Sequence, residues 1–142
     1  MRIGEIAERV GVTPRTIRYY EELGLLGAGA REKGTHRIYT EADVERLQEL
    51  VRLRDLLGLS LEELIELGEA EEERAALRNQ WHGDPTDEER LAIVERALEL
   101  RQRRLELVHA RREKLDALAA ELEEKMASLR RLRRGLARSA RV

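Results

Sequence analysis

Between positions 15 and 19 the chain places Arg15, Thr16, Arg18 and Tyr19 within little more than one helical turn. A guanidinium fork can donate two parallel hydrogen bonds to a phosphate or to the O6/N7 edge of guanine, and a hydroxyl can reach a phosphate oxygen. That chemistry suits a nucleic-acid backbone and groove, and it needs a rigid mount. Thr13 is a good N-cap. Pro14 fits the first helical position, where a missing N–H has no intrahelical partner to lose, so a helix is predicted to start there. Within it Ile17 and Tyr20 face inward and leave Arg15, Thr16, Arg18 and Tyr19 outside. Tyr19 and Tyr20 are neighbours and cannot share a face.

The preceding helix is signalled by Ile3, Ile6, Ala7 and Val10 at i, i+3, i+4 and i+7, with Gly11 supplying the C′ position. Two short helices joined by such a turn read as a helix-turn-helix. Gly34-Thr35-His36-Arg37-Ile38-Tyr39 then reads as a short β wing. Strand alternation puts Arg37 and Tyr39 on one face and Ile38 on the other. Arg31, Lys33 and His36 are further contact candidates in the same loop, with an ordinary solvated charge as the plainer reading. The expected fold class is mostly α: a winged helix-turn-helix with a small β wing, followed by a long C-terminal coiled-coil helix.

Downstream, Thr40-Glu41-Ala42-Asp43 opens a helix through Val44, Leu47, Leu50, Val51 and Leu57 that ends at Gly58. Ser60-Leu61-Glu62-Glu63 is a second capping box. It is predicted to start a short helix with Leu61, Leu64 and Ile65 inward, ending near Gly68. Residues 71–86 read as an acidic, irregular connection broken at Gly83-Asp84-Pro85. Thr86-Asp87-Glu88-Glu89 then opens a helix over 87–136, with a basic tail at 137–142. Heptads place Leu91, Leu98, Leu105 and Met126 at a, and Val94, Val108, Leu115, Leu122 and Leu129 at d. Arg101 and Arg112 interrupt that seam. A helix of about 48 residues would be roughly 72 Å long, too long for a small domain to bury, so a homodimer through a coiled coil is expected.

The chain resembles the MerR family of bacterial transcription regulators. The likeness lies in Ile-Gly-Glu-Ile-Ala at 3–7, Thr-Pro-Arg-Thr-Ile-Arg-Tyr-Tyr-Glu at 13–21, Gly-Leu-Leu at 24–26, and Arg31, Gly34, Arg37 and Tyr39. It covers about the first 70 residues. Gly27-Ala28-Gly29-Ala30 departs from the family, which often carries proline there. The resemblance implies DNA contact by Thr13, Arg15, Thr16, Arg18 and Tyr19 and backbone contact by wing residues Arg37 and Tyr39. It implies a second backbone contact from the helix pair after the wing, for which Arg52 and Arg54 are candidates. It also implies an antiparallel dimer coil, binding between over-spaced promoter elements, distortion of the duplex and engagement of RNA polymerase.

The chain has 142 residues and no cysteine, which excludes disulfides and thiolate metal or iron–sulfur sensing. His36, His82 and His109 lie too far apart in sequence to suggest a metal site, and no cofactor is expected. Charged residues make up 39% and aromatics 3%, with no phenylalanine, so helix surface should dominate over core. The net charge of −2 hides an uneven distribution. Residues 1–58 hold 10 basic and 10 acidic residues, 59–90 hold 3 and 11, and 91–142 hold 14 and 8. Net charge is therefore a poor guide to a locally basic face. No apolar run approaches membrane-spanning length, and the N-terminus reads as a helix rather than a leader. A cytoplasmic, nucleoid-associated protein is expected.

Trp81, the only tryptophan, and His82 have two readings: a wall for a small effector, or an anchor packing their segment onto the coil, which is favoured. An enzyme is disfavoured, since the chain lacks a glycine-rich phosphate loop and a compact Ser, His and carboxylate set. The leading expectation is a dimeric regulator on a pseudo-palindromic promoter site. An effector-independent architectural or excisionase-like binder and a coiled-coil protein adaptor are the alternatives.

Overall fold

Capping chemistry sets most helix boundaries in a computed structural model that describes residues 1–26 and 38–141. Among the described residues the helices are α1 (Ile3–Val10), α2 (Pro14–Glu22), α3 (Glu41–Leu57), α4 (Leu61–His82) and α5 (Asp87–Ala140). Gly11 adopts a left-handed conformation, φ 82°, and its N–H reaches Ala7 O, closing α1. Thr13 caps α2 by accepting the Thr16 N–H at 3.1 Å, with Pro14 in the first turn. Capping boxes open α3 from Thr40 and Asp43 and α4 from Ser60 and Glu63. Thr86 and Glu89 do the same for α5. Each box satisfies two backbone donors that would otherwise lack partners. No strand occurs among the described residues, and the wing positions Arg31, Lys33, His36 and Arg37 lie outside them.

The chain divides into two units, Met1–Arg104 and Leu105–Val142. In the first, Ile6, Ile17, Leu25, Val44, Leu47 and Leu50 are fully buried and bring α1, α2 and α3 onto one core, which Leu64 and Leu67 of α4 complete. Leu53 joins this core although the sequence reading passed over it, while Leu61, expected inward, is exposed. Leu61 occupies the first position of α4, before the helix meets the core.

The largest departure from the sequence reading is α4 itself, which continues through Gly68 to His82 instead of stopping, so most of the expected connecting segment is helical. Gly68 is a packing position. A Cβ there would stand 2.4 Å from Leu25 Cδ2, inside the core. The following Glu-Ala-Glu-Glu-Glu-Arg-Ala-Ala-Leu run is made largely of good helix formers, which sustain the helix once it has passed the glycine.

The start of α5 is tied back to α4 by ion pairs: Arg96 to Glu73 at 2.8 Å and Arg103 to Glu66 at 2.6 Å. A third pair, Arg104 to Glu71, is buried, with Glu71 only 5% exposed. Arg74 also donates to Glu71 at 2.8 Å, and Arg104 reaches Glu49 of α3 at 3.5 Å. Burial pushes the Glu71 carboxyl up, but hydrogen bonds from Arg74 and Arg104 outweigh it and hold it below the ordinary value.

In the second unit α5 continues to Ala140, past Gly135 and past the end expected near residue 136. None of its residues from 105 to 140 is buried. Leu105, Val108, Leu115, Leu122, Met126 and Leu129 are all exposed, although they carry the heptad pattern.

Candidate nucleic-acid interface

The outward face of α2 is built from behind. Ile17 and Tyr20 are buried, and the Tyr20 hydroxyl accepts a hydrogen bond from Arg54 Nη1 at 2.6 Å. This satisfies a buried phenol that would otherwise cost roughly 1–3 kcal/mol. Arg54 also donates to Asp55 at 2.9 Å, so it supports α2 from within the protein. Arg52 is held by Glu49 through two hydrogen bonds, of 2.7 and 3.0 Å.

On the front, Arg15, Arg18 and Tyr19 are exposed, Tyr19 to 45%. Neither arginine has a hydrogen bond or ion pair among the described residues. The structure therefore brings together two guanidinium groups and a phenol on one solvent-facing surface of a short, capped helix. Thr13 and Thr16 lie at its N-terminal edge, where their hydroxyl oxygens are 3.0 Å apart. The Thr13 hydroxyl caps the helix. Each hydroxyl retains further hydrogen-bonding capacity, since it has one donor and two acceptor positions.

Tyr39, expected beside Arg37 on the outer face, is instead part of the core. It is 4% exposed whereas Ile38 is 77% exposed, so of these two neighbours it is Tyr39 that faces inward. The Tyr39 hydroxyl donates to Glu21 in the last turn of α2, and its N–H donates to Met1 O at 2.7 Å. A buried ring between the N-terminus and α2 fixes that helix and is not offered to a ligand. The apolar body of the ring outweighed the hydroxyl that had suggested a surface contact.

Sequence reasoning also missed Arg46, whose guanidinium donates to Leu25 O and Gly68 O, each at 2.8 Å. It joins α3 to the end of the α2 segment and to α4. Its acceptors are backbone carbonyls 21 and 22 residues away, and nothing in the sequence marks such a pairing.

Trp81 is 44% exposed at the end of α4, with the Arg90 guanidinium 5.9 Å from its ring centroid. It borders a groove between α4 and the start of α5 that His82 does not line. The two residues expected to share one pocket are thus not brought together there. Among the described residues no cluster of three or more His, Asp or Glu side chains is arranged to hold a metal ion. No described helix is long and apolar enough to cross a membrane.

A capped helix that presents two exposed arginines from a small helical core is the arrangement of a helix-turn-helix protein. Residues 1–71 match the family described as MerR HTH family regulatory protein, and the chain belongs to that family. It is 47% identical over 64 residues to the HTH-type transcriptional regulator YfmP of Bacillus subtilis, covering 45% of this chain and 46% of that one. It is 37% identical over 105 residues to the HTH-type transcriptional activator TipA of Streptomyces coelicolor, covering 70% and 41%. The chain spans less than half the length of these relatives. Among solved structures it is similar to HiNmlR, a MerR family regulator lacking the sensor domain, bound to promoter DNA. That likeness has a TM-score of 0.42 at 25% identity and covers 86% of each chain.

Proposed function

We propose that this protein is a dimeric, sequence-specific transcription regulator that reads double-stranded promoter DNA with α2. The observation that carries the reading is the outer face of α2, where Arg15 and Arg18 stand exposed beside Tyr19, without a hydrogen bond or ion pair among the described residues. Arg15, one turn nearer the helix N-terminus, is assigned to base edges or phosphate, and Arg18 and Tyr19 to phosphate. Thr13 and Thr16 contact the backbone at the same edge. Arg31, Lys33, His36 and Arg37 extend the interface on the family resemblance, and Tyr39 is removed from it.

Dimerisation is assigned to α5. Leu105, Val108, Leu115, Leu122, Met126 and Leu129 form an exposed heptad face that association would bury, with Leu91, Val94 and Leu98 continuing it towards the helix start. A two-fold dimer matches a pseudo-palindromic site, one helix-turn-helix per half-site. Deformation of the duplex is the output, and RNA polymerase at the distorted promoter is the partner that responds to it.

Nuclease footprinting on the DNA upstream of the protein's own gene tests this directly. The expected result is a protected dyad between promoter elements with hypersensitive positions at its centre. Absence of salt-sensitive protection on any tested promoter, with the protein dimeric, would favour a protein-binding adaptor instead.

A further inference from the structure

The end of α5 carries one sign of charge on the side that a coiled coil leaves free. In the register that puts Leu122 and Leu129 at d, Arg131 and Arg138 fall at f, and Arg134 and Arg141 at b, the positions that point away from the seam. Their spacing of three, four and three residues keeps them on one helix face. Arg133, at an a position, and Arg130, at an e position beside it, are not part of that stripe. All four stripe residues are exposed, and none of them meets a carboxylate. Arg131 donates to Ser128 Oγ at 3.0 Å and Arg138 to the Arg134 carbonyl at 3.5 Å. The Arg134 and Arg141 side chains have no hydrogen bond or ion pair among the described residues.

The stripe is local. Upstream on the same face the b and f positions hold Glu113, Ala117, Ala120 and Glu124, and no Asp or Glu follows Glu124. Gly135 falls at c, between Arg131, Arg134 and Arg138 and inside the helix. A glycine there costs up to about 1 kcal/mol of helix stability against alanine. A Cβ at Gly135 would have no neighbour within 4 Å, so no packing inside the chain requires the glycine. It leaves bare backbone among three guanidinium groups, where a ligand strand can lie close.

We propose that this stripe is a second, sequence-independent contact for the phosphate backbone of duplex DNA. A guanidinium fork matches the geometry of a phosphate and can bind it through two parallel hydrogen bonds. From Arg131 to Arg138 the helix rises about 10 Å, over which one DNA strand presents about three phosphates to three arginines. A membrane surface would require apolar side chains on the same face, whereas Leu129, Leu132 and Leu136 lie on the seam side. The inference rests on the proposed function for the seam, which decides the free face, and does not depend on DNA contact by α2.

The test compares the native full-length protein with the Arg131→Gln/Arg134→Gln/Arg138→Gln/Arg141→Gln variant on a random-sequence duplex of about 40 base pairs, at 50 to 200 mM salt. Arg18→Ala is measured alongside. Each phosphate contact contributes about 0.9 to the slope of log affinity against log salt, and a dimer carries two stripes. The fourfold variant is therefore expected to flatten the slope by at least about 3 and to lose at least about tenfold in affinity at 50 mM salt, with helicity and dimerisation unchanged. A loss in this variant but not in Arg18→Ala would uphold the stripe and strike the α2 reading, and the reverse result would strike the stripe alone. An unchanged slope and affinity in a helical, dimeric variant overturns the proposal. It is also overturned if the dimer dissociation constant rises while the DNA affinity of fully dimeric protein stays the same, which would show that the arginines pair with carboxylates of a second copy.

Discussion

The two units of this chain solve the burial problem in opposite ways. In Met1–Arg104, Leu47 and Leu50 are sealed from solvent and even the polar tips of Tyr20 and Tyr39 find partners. From Leu105 to Ala140 the chain is one helix with no buried residue, and all of its leucines but the half-buried Leu107 are exposed. The contrast is one of contact order within the chain. The first unit packs its apolar stripes against each other, whereas among the described residues the second has no element to fold against. A long amphipathic helix of this kind gains its stability from a partner. On the proposed function, the first unit positions the reading surface and the second sets how many reading surfaces act together.

That contrast can be broken most forcefully at the second unit. Leu115→Asp combined with Leu122→Asp places charges on the exposed heptad face. It is expected to raise the dimer dissociation constant by more than about a thousandfold, since each lost core leucine alone is worth roughly 2–5 kcal/mol. Sedimentation equilibrium measures this, and a variant still dimeric at micromolar concentration would move dimerisation elsewhere. The thermal transition of the first unit should persist in the variant.

A smaller effect sharpens the first unit's self-sufficiency. Glu71→Gln leaves Arg74 without a charged acceptor and Arg104 with Glu49 alone, 3.5 Å away, and is expected to cost about 2 to 3 kcal/mol at pH 7 by chemical denaturation. The Glu71 carboxyl is depressed in the folded state, so its contribution is present above its unfolded value and is lost as pH falls through the lower folded value. The stability gap between the native protein and Glu71→Gln should therefore close as the pH is lowered from about 5 towards 3. A gap independent of pH would contradict the assignment.

The smallest of these effects falls on Gly68→Ala. Helix propensity alone favours alanine by up to about 1 kcal/mol. The new methyl would meet Leu25 in a sealed core, so a net loss of about 1 to 2 kcal/mol is expected. A stabilised variant would show that the core yields readily.

What was legible in the sequence follows the same division between local and non-local physics. The start of α2 at Thr13-Pro14, the boxes at Thr40, Ser60 and Thr86, and the glycine ends of α1 and α3 all depend on residues within four positions of each other. The reading of Tyr20 as core and Arg15 and Arg18 as exposed came from helical periodicity alone, and the structure agrees. Gly68 was misread because a glycine that ends a helix and one that admits a neighbour look identical in sequence. Tyr39 was placed on the wrong face because alternation gives a period without a phase. Arg46 and the pairs Arg54–Tyr20 and Arg104–Glu71 join separate elements, and no local pattern announces them.

The central claim, that the outer face of α2 grips DNA phosphates, is tested most directly by the salt dependence of binding. The affinity of the native protein and of Arg18→Ala for a footprinted promoter fragment would be measured between 50 and 200 mM salt. Loss of one phosphate contact per protomer removes two from the dimer, so the slope of log affinity against log salt should flatten by about 2, with affinity for specific and random DNA falling alike. An unchanged slope and affinity, in a variant that remains folded and dimeric, would remove Arg18 from the interface and contradict the account.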